Sequence, residues 1–141
     1  MTEPNMKPVQ VLLVEDDAID RETIQRAFAN RKIANTLHTA NDGIEAMEIL
    51  KSGRVVEPVI ILLDINMPRM NGLEFLQEMR QDPEHARHVV FVLTTSSDQS
   101  DIYEAYNLNV AGYMLKSNVG TGFFEAVQLI EHYWRVVEMP Q

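Results

Sequence analysis

Carboxylate side chains follow two of the apolar segments that the sequence predicts to be buried strands. Glu15 and Asp16 follow residues 9–14, and Asp64 follows residues 60–63. Burying a carboxylate is costly, so such residues are tolerated where they meet water, a cation or a partner at the end of a strand. Because the carboxyl ends of parallel strands share one edge of a sheet, we expect the three carboxylates to lie together there.

Three carboxylates at one point would repel each other unless a cation lay between them. Their oxygens suit a hard divalent cation, and Mg²⁺ fits because it takes one or two carboxylates and keeps several waters for a phosphate-bearing partner. A single acidic residue at a strand end is more often a cap, but two acidic strand ends on one edge favour a metal site. The sequence therefore predicts that Glu15, Asp16 and Asp64 bind Mg²⁺.

A hydroxyl and an ammonium group end two further apolar segments. Residues 88–94 end in Thr94, and residues 111–115 precede Lys116. Both groups are hydrogen-bond donors, and beside a carboxylate cluster they suit the oxygens of an incoming phosphoryl group. Two simpler interpretations stay open. Thr94 could cap the following helix, and Lys116 could form a salt bridge to Asp64, which we expect in the resting state in any case.

The elements that must position these residues alternate between strand and helix. Apolar periodicity and turn residues predict strands at about 9–14, 34–39, 58–64, 88–94 and 111–115, and helices at about 18–30, 44–53, 73–80, 98–107 and 121–138. The second helix should turn Ile44, Met47 and Leu50 inward. The third and fourth strands are continuous apolar runs, as expected when helices cover both faces of a sheet. Right-handed crossovers then give an α/β, doubly wound (βα)5 three-layer sandwich.

Composition limits the class of protein. A chain of 141 residues is the size of one domain, and we expect a flexible segment at 1–8 and one domain over 9–141 with no output domain. The absence of cysteine excludes disulfides and thiol chemistry. A net charge of -9 argues against nucleic acid and anionic membranes as partners. No apolar run approaches the roughly 18 residues of a membrane helix, so we expect a cytoplasmic protein.

The order and spacing of these segments resemble the receiver domain of response regulators, the phosphoacceptor half of two-component signalling. The matching segments are residues 14–16, 63–68 with Gly72, 93–95 and 112–116. The resemblance covers the chain from about residue 9 to residue 138. It implies a flavodoxin-like parallel sheet with strand order 2-1-3-4-5.

The resemblance also implies a role for each site residue. Asp64 would accept a phosphoryl group from a sensor histidine kinase, and the backbone carbonyl of Asn66 would join the carboxylates around Mg²⁺. Thr94 and Lys116 would bind the phosphoryl oxygens. Tyr113 would be a rotameric switch that turns inward when Thr94 moves, although a half-buried aromatic residue at a strand end is an alternative.

Two further segments narrow the subgroup. Residues 98–106 and 130–140 are similar to small stand-alone regulators that often pair with phytochrome-type kinases. Such a protein would be no enzyme and would signal by protein–protein contact or by a phosphorelay.

Three alternatives to this function stay open. They are a phosphorylation-independent scaffold, a phosphohydrolase with Asp64 as nucleophile, and a flavodoxin-like cofactor carrier. Asn66 stands where aspartate phosphatases commonly carry a second acid. Residues 15–17 would repel the phosphate of a flavin.

One position departs from the family pattern. Receiver domains usually have proline after the lysine, with a cis peptide bond between the two, whereas here Ser117 follows Lys116. A cis bond without proline costs about 2.5–4 kcal/mol. We nevertheless predict that it is kept, because Lys116 must reach the acidic cluster and surrounding structure can hold a strained peptide.

The last helix carries more apolar surface than contact with one sheet requires. Two stripes run at helical spacing, and their residues are Phe123, Val127, Ile130, Trp134 and Val137 in the first and Ala126, Leu129, Tyr133 and Val136 in the second. An outer helix normally buries one such stripe, and an exposed second one marks an interface. We therefore predict a homodimer through the last two helices, with Ile102, Tyr103 and Tyr106 extending the patch. Alternatively, the second stripe covers a neighbouring helix or docks the kinase.

Overall fold

A five-stranded parallel sheet forms the middle layer of the computed structural model, which describes residues 9–31 and 36–140. The strands are β1 (Gln10–Val14), β2 (Leu37–Ala40), β3 (Val59–Leu63), β4 (Val89–Thr94) and β5 (Gly112–Leu115), in the order β2-β1-β3-β4-β5. The helices are α1 (Ala18–Asn30), α2 (Gly43–Lys51), α3 (Gly72–Gln81), α4 (Gln99–Asn107) and α5 (Phe124–Val136). The predicted fold is confirmed, and the element bounds differ from the prediction by up to three residues. The flexible segment predicted at 1–8, and residues 34–35 of the predicted second strand, lie outside the described residues.

Alternation along the strands divides the core between the two faces of the sheet. Leu12 and Val14 of β1 pack with α2 and α3 on one face. Val11 and Leu13 pack with α1 and α5 on the other. All five residues of β3 are buried, as the continuous apolar run predicts for a strand covered on both sides.

The strand register brings the carboxyl ends of four strands to one level. Val14 of β1 pairs with Leu63 of β3, and Thr94 of β4 pairs with Leu115 of β5. Glu15, Asp64 and Lys116, which follow their strands, and Thr94, which ends β4, therefore lie at the same edge. Gly72 begins α3 so close to the end of β3 that a Cβ atom there would lie 2.5 Å from the Asp64 carbonyl oxygen. Only glycine permits this approach.

Two predictions on the helices are wrong in part. Met47 and Leu50 of α2 are buried, but Ile44 is 37% exposed because it lies outside the buried face of the helix, which Gly43 and Ala46 share with them. In α5, Ala126 is fully buried although it belongs to the second stripe. Tyr133 of that stripe packs edge-on against Phe91 with ring centroids 5.0 Å apart.

The buried face of α5 therefore lies between the two predicted stripes. Leu129 and Val136 of the second stripe are exposed. Val137 of the first stripe follows the last residue of α5 and is also exposed.

The peptide bond after Lys116 also differs from the prediction. Among the described residues the only cis peptide bond joins Glu57 and Pro58, so the bond between Lys116 and Ser117 is trans. The chain continues from β5 into a single 3₁₀ turn, Lys116–Asn118, and this turn directs the Lys116 side chain to the acidic edge. A cis bond is not needed for that placement.

Candidate functional site

Asp64 lies directly after β3, in the centre of the sheet edge, and is only 6% exposed. Its Oδ1 accepts hydrogen bonds from the Thr94 hydroxyl at 2.9 Å and from the Asn66 backbone N–H at 3.0 Å. Its Oδ2 accepts from the Lys116 ammonium group at 3.1 Å. Both oxygens of the carboxylate thus face donors that would also suit a phosphoryl group.

Glu15, Asp16 and Asp64 form one acidic group at this edge, each with a carboxylate oxygen within 4.8 Å of the others. Burial and the neighbouring charge of Asp64 raise the pKa of Glu15 to about 8, although Lys116 acts in the opposite direction. Like charges this close are relieved by a cation, and oxygen atoms from carboxylates are the ligands that a hard divalent cation takes. The three residues fit such an ion, and the group could hold a metal.

Lys116 is shared among three carboxylates. Its Nζ lies 2.7 Å from Asp20, 2.9 Å from Glu15 and 3.1 Å from Asp64. Burial alone would lower the pKa of the ammonium group. The hydrogen bonds to Asp20 and Glu15 and the charge of Asp64 outweigh burial and hold this pKa above its usual value.

The sequence did not single out Asp20. It lies in the first turn of α1, where an acidic residue is explained by the helix dipole alone. Asp20 lies inside a predicted helix, so it does not mark the end of a strand as Glu15 and Asp16 do. Only the position of α1 beside the end of β5 reveals the contact with Lys116.

The hydroxyl of Thr94 points to Asp64 and does not cap the following helix. Thr94 is fully buried, and Asp98 caps α4 by accepting from the Ser100 backbone N–H. The Asn66 side-chain amide donates to Thr95 at 3.2 Å, which ties the loop after β3 to the loop after β4. The capping interpretation of Thr94 is therefore wrong.

Tyr113 lies on β5, and its side chain reaches the same loop. The phenol hydroxyl donates to the backbone carbonyl of Ser96 at 2.9 Å. Ser96 is two residues beyond Thr94, so the hydroxyl of Tyr113 contacts the same loop in which Thr94 ends β4. The structure brings together all of the predicted site residues, which are Glu15, Asp16, Asp64, Asn66, Thr94, Tyr113 and Lys116.

Comparisons with known proteins agree with this geometry. The sequence profile described as "Response regulator receiver domain" matches residues 11–128. Response regulator Rcp1 of Synechocystis sp. is 36% identical over 138 residues, which are 95% of this chain and 94% of Rcp1. The crystal structure of the phosphorylated cyanobacterial phytochrome response regulator RcpA superimposes with a TM-score of 0.85 at 36% identity, covering 96% of this chain and 100% of RcpA. The Mn²⁺-bound form of Rcp1 gives a TM-score of 0.83 at 36% identity, covering 95% and 100% of the two chains.

Proposed function

Because the chain belongs to the response regulator receiver domain family, we propose that Asp64 accepts a phosphoryl group from a sensor histidine kinase in a Mg²⁺-dependent reaction. The observation that carries the proposal is the surroundings of Asp64. Its buried carboxylate lies between the hydroxyl of Thr94, the ammonium group of Lys116 and the acidic pair Glu15–Asp16. Phosphorylation and Mg²⁺ dependence are typical of the family, and a Mn²⁺-bound form of Rcp1 is known.

In the transfer, a carboxylate oxygen of Asp64 attacks the phosphorus atom of the donor. The bond between phosphorus and the donor atom breaks, and its electron pair stays with the leaving group. Negative charge on the transferred oxygens then meets the Thr94 hydroxyl and the Lys116 ammonium group, both of which already donate to Asp64. Donors held in place in a partly buried site stabilise such charge more than water does.

Mg²⁺ would neutralise the charge that the acidic group and the phosphoryl group place at one point. Glu15, Asp16 and Asp64 would supply carboxylate oxygens, with the backbone carbonyl of Asn66 as the fourth protein ligand. Support for this set comes from the raised pKa of Glu15, since a buried carboxylate beside a second one gains from a cation.

The assignment of Asp64 can be tested with a small phosphodonor and Mg²⁺. The wild type should gain one phosphoryl group by intact-protein mass spectrometry, and Asp64→Asn should gain none. Asp98→Asn is the matched control, because it makes the same substitution at an exposed helix cap where asparagine serves equally well. Modification of the Asp64→Asn variant to the wild-type extent would show that another residue is the acceptor.

Tyr113 is proposed as the switch that reports phosphorylation. A phosphoryl group on Asp64 would draw the Thr94 hydroxyl towards its oxygens. That movement would shift Ser96 and break its bond to the Tyr113 hydroxyl, so that the ring turns inward. The hydrogen bond of 2.9 Å between Tyr113 and Ser96 supports this coupling.

The kinase is proposed to dock beside Lys116. A groove lies there between α1 and the segment before α5, and Ile19, Thr23, Ser117 and Phe123 contribute to its lining. Ile19 is 77% exposed, so its side chain at this groove is accessible to a partner. We further propose that this kinase is of the phytochrome type, since RcpA is a cyanobacterial phytochrome response regulator. A cytoplasmic location is also proposed. No helix within the described parts of the chain is long and apolar enough to cross a membrane.

A homodimer through α4 and α5 is proposed as the second interaction. The exposed large apolar residues of these helices are Tyr103, Tyr106, Phe124, Leu129 and Val136. A paired Leu129→Asp, Val136→Asp variant is the sharpest test, because Tyr133 packs against the core and its replacement would disturb the fold. We expect the wild type to sediment as a dimer and the variant as a monomer. A wild type that stays monomeric at high micromolar concentration, with and without phosphodonor, would contradict the dimer.

The protein is proposed to signal without enzymatic turnover of its own. The phosphohydrolase alternative needs a second acid at Asn66, whose side chain instead contacts Thr95. Sustained hydrolysis of an external phosphoester would favour it. A phosphorylation-independent scaffold would retain partner binding in the Asp64→Asn variant under every condition.

A further inference from the structure

Asp20 makes the shortest of the three ion pairs of Lys116. The Nζ–Oδ2 distance is 2.7 Å, against 2.9 Å to Glu15 and 3.1 Å to Asp64. The ammonium group donates hydrogen bonds to Asp20 and Asp64 and forms an ion pair with Glu15. Asp20 differs from the other two because it stands outside the acidic group that could hold a metal ion.

The carboxylate of Asp20 is presented by a fixed part of the chain. Asp17 caps α1 and accepts from the backbone N–H groups of Ile19 and Asp20 at 2.9 and 3.0 Å. The guanidinium group of Arg21 donates to the Glu15 carbonyl oxygen at 2.8 Å and ties the first turn of α1 to the end of β1. The helix therefore places Asp20 at a defined point beside β5.

Lys116 carries its ammonium group on a flexible four-carbon side chain, so the backbone does not by itself fix the position of Nζ. Lys116 begins a 3₁₀ turn of three residues that has no side-chain cap, and a trans bond to serine follows it. A lysine side chain also loses about 2 kcal/mol of rotamer entropy when it is held in one position. An ion pair to a rigid helix offsets that loss and limits where Nζ can lie.

We propose that Asp20 is a positioning residue, which holds the Lys116 ammonium group against Asp64 whether or not a cation occupies the acidic group. When Glu15 and Asp64 give oxygens to a cation, Asp20 is the carboxylate left to Lys116. Of the two measurements that test this role, only the rate of phosphorylation rests on the proposed phosphoryl transfer. The contact between Asp20 and Lys116 exists without a phosphodonor.

The first readout is the side-chain NH₃⁺ signal of Lys116 in nitrogen-15 NMR spectra. In wild type this signal should be sharp and ordered both in chelator and in Mg²⁺. Asp20→Ala should broaden it beyond detection in both, and Asp20→Asn should recover it in part because the amide oxygen still accepts. Glu22→Gln is the control, since Glu22 lies on the same helix and pairs with Arg26 away from the site. An unchanged signal in Asp20→Ala would overturn the proposal.

The second readout is the rate of phosphorylation by a small phosphodonor. Loss of one hydrogen bond between charged groups should slow Asp20→Ala about tenfold, and Asp20→Asn should lie between this variant and wild type. If both variants were phosphorylated faster than wild type, Asp20 would compete for Lys116, and the positioning role would be wrong. If wild type took no phosphoryl group at all, the proposed function would fail, and the NMR signal would still decide the role of Asp20. Circular dichroism of each variant would confirm that α1 is retained.

Discussion

The two ends of the parallel sheet carry polar clusters of opposite construction. At the carboxyl ends, the buried carboxylates of Glu15 and Asp64 lie side by side and share one ammonium group. At the amino ends, the guanidinium group of Arg80 donates to four backbone carbonyl oxygens. These acceptors are those of Ala86, His88, Leu108 and Asn109 at 2.7 to 3.1 Å.

The polar cluster at the amino ends stabilises the fold, whereas the cluster at the carboxyl ends is suited to chemistry. Around Arg80, one charged group satisfies carbonyls of the loops before β4 and β5, so the cluster joins elements together. Around Asp64, like charges are held close, which destabilises the folded state and leaves a site that a cation or phosphoryl group can complete.

The largest effect is expected from removing the guanidinium group of Arg80. Arg80→Ala should lower the free energy of unfolding by about 3–4 kcal/mol, because four carbonyl groups lose a charged donor. Arg80→Lys should lose less, since it keeps the charge but lacks the planar fork. Urea denaturation measures both. A loss under about 1 kcal/mol for the alanine variant would contradict the structural role of this cluster.

The acidic cluster should respond in the opposite direction. In the absence of divalent cations at pH 8, Glu15→Gln should raise the free energy of unfolding by about 2–3 kcal/mol. The Glu15 carboxyl releases its proton near 4.5 when unfolded and near 8 when folded, so the contribution of Glu15 to stability is lost as the pH rises through this range. The glutamine variant has no such loss.

Mg²⁺ provides the control for that prediction. Saturating Mg²⁺ should stabilise wild type more than Glu15→Gln, because the variant has lost one charged ligand of the cation and the repulsion that the cation relieves. Glu22→Gln, on the exposed face of α1, should match wild type in both conditions. Equal pH profiles for wild type and Glu15→Gln would show that the repulsion at this edge is not significant.

The sequence predicted the sheet edge well because the signals there are local. A buried strand is an uninterrupted apolar run, and parallel strands must end at a common edge, so the residues at the ends of β1, β3, β4 and β5 follow directly. The relative positions of helices and loops were not predicted. The contact of Asp20 with Lys116 depends on where α1 lies, and the four acceptors of Arg80 come from loops that carry no motif.

Two errors have the same physical origin. Ile44 fits a helical stripe but lies in the first turn of α2, beyond the buried face. The trans bond after Lys116 shows that a short 3₁₀ turn reaches the geometry for which a cis bond was expected. Periodicity and residue type give the existence of an element, whereas its rotation and its connections depend on packing between elements.

His88 should make the amino-end cluster sensitive to acid. It is 4% exposed, and its Nε2 lies 2.9 Å from His85 Nδ1. Its pKa is about 4 in the folded state against 6.5 as an ordinary histidine, so the unfolded state binds the proton first as the pH falls. The contribution of His88 to stability is therefore full above pH 6.5 and decreases by roughly 2 kcal/mol on the way to pH 4, opposite in direction to the contribution of Glu15.

The difference in the free energy of unfolding between wild type and His88→Asn should change by roughly 2 kcal/mol between these limits. His132→Asn is the control, because it makes the same substitution at an exposed position of α5. Thermal unfolding of the three proteins at several pH values gives the curves. A difference between wild type and His88→Asn that stays constant over this range would contradict the burial of a neutral His88.

The smallest effect on stability is expected from a substitution at Asp16. Its side chain is exposed, so Asp16→Asn should change the stability of the metal-free protein by less than about 0.5 kcal/mol. The same substitution removes one charged oxygen ligand and should weaken Mg²⁺ binding about tenfold, or about 1.4 kcal/mol. Calorimetric titration measures the affinity, with Asp98→Asn as the control for an acidic side chain lost elsewhere. Unchanged Mg²⁺ affinity would mean that the buried pair Glu15 and Asp64 holds the cation without Asp16, and that the exposed carboxylate contributes only to the general negative charge of this edge.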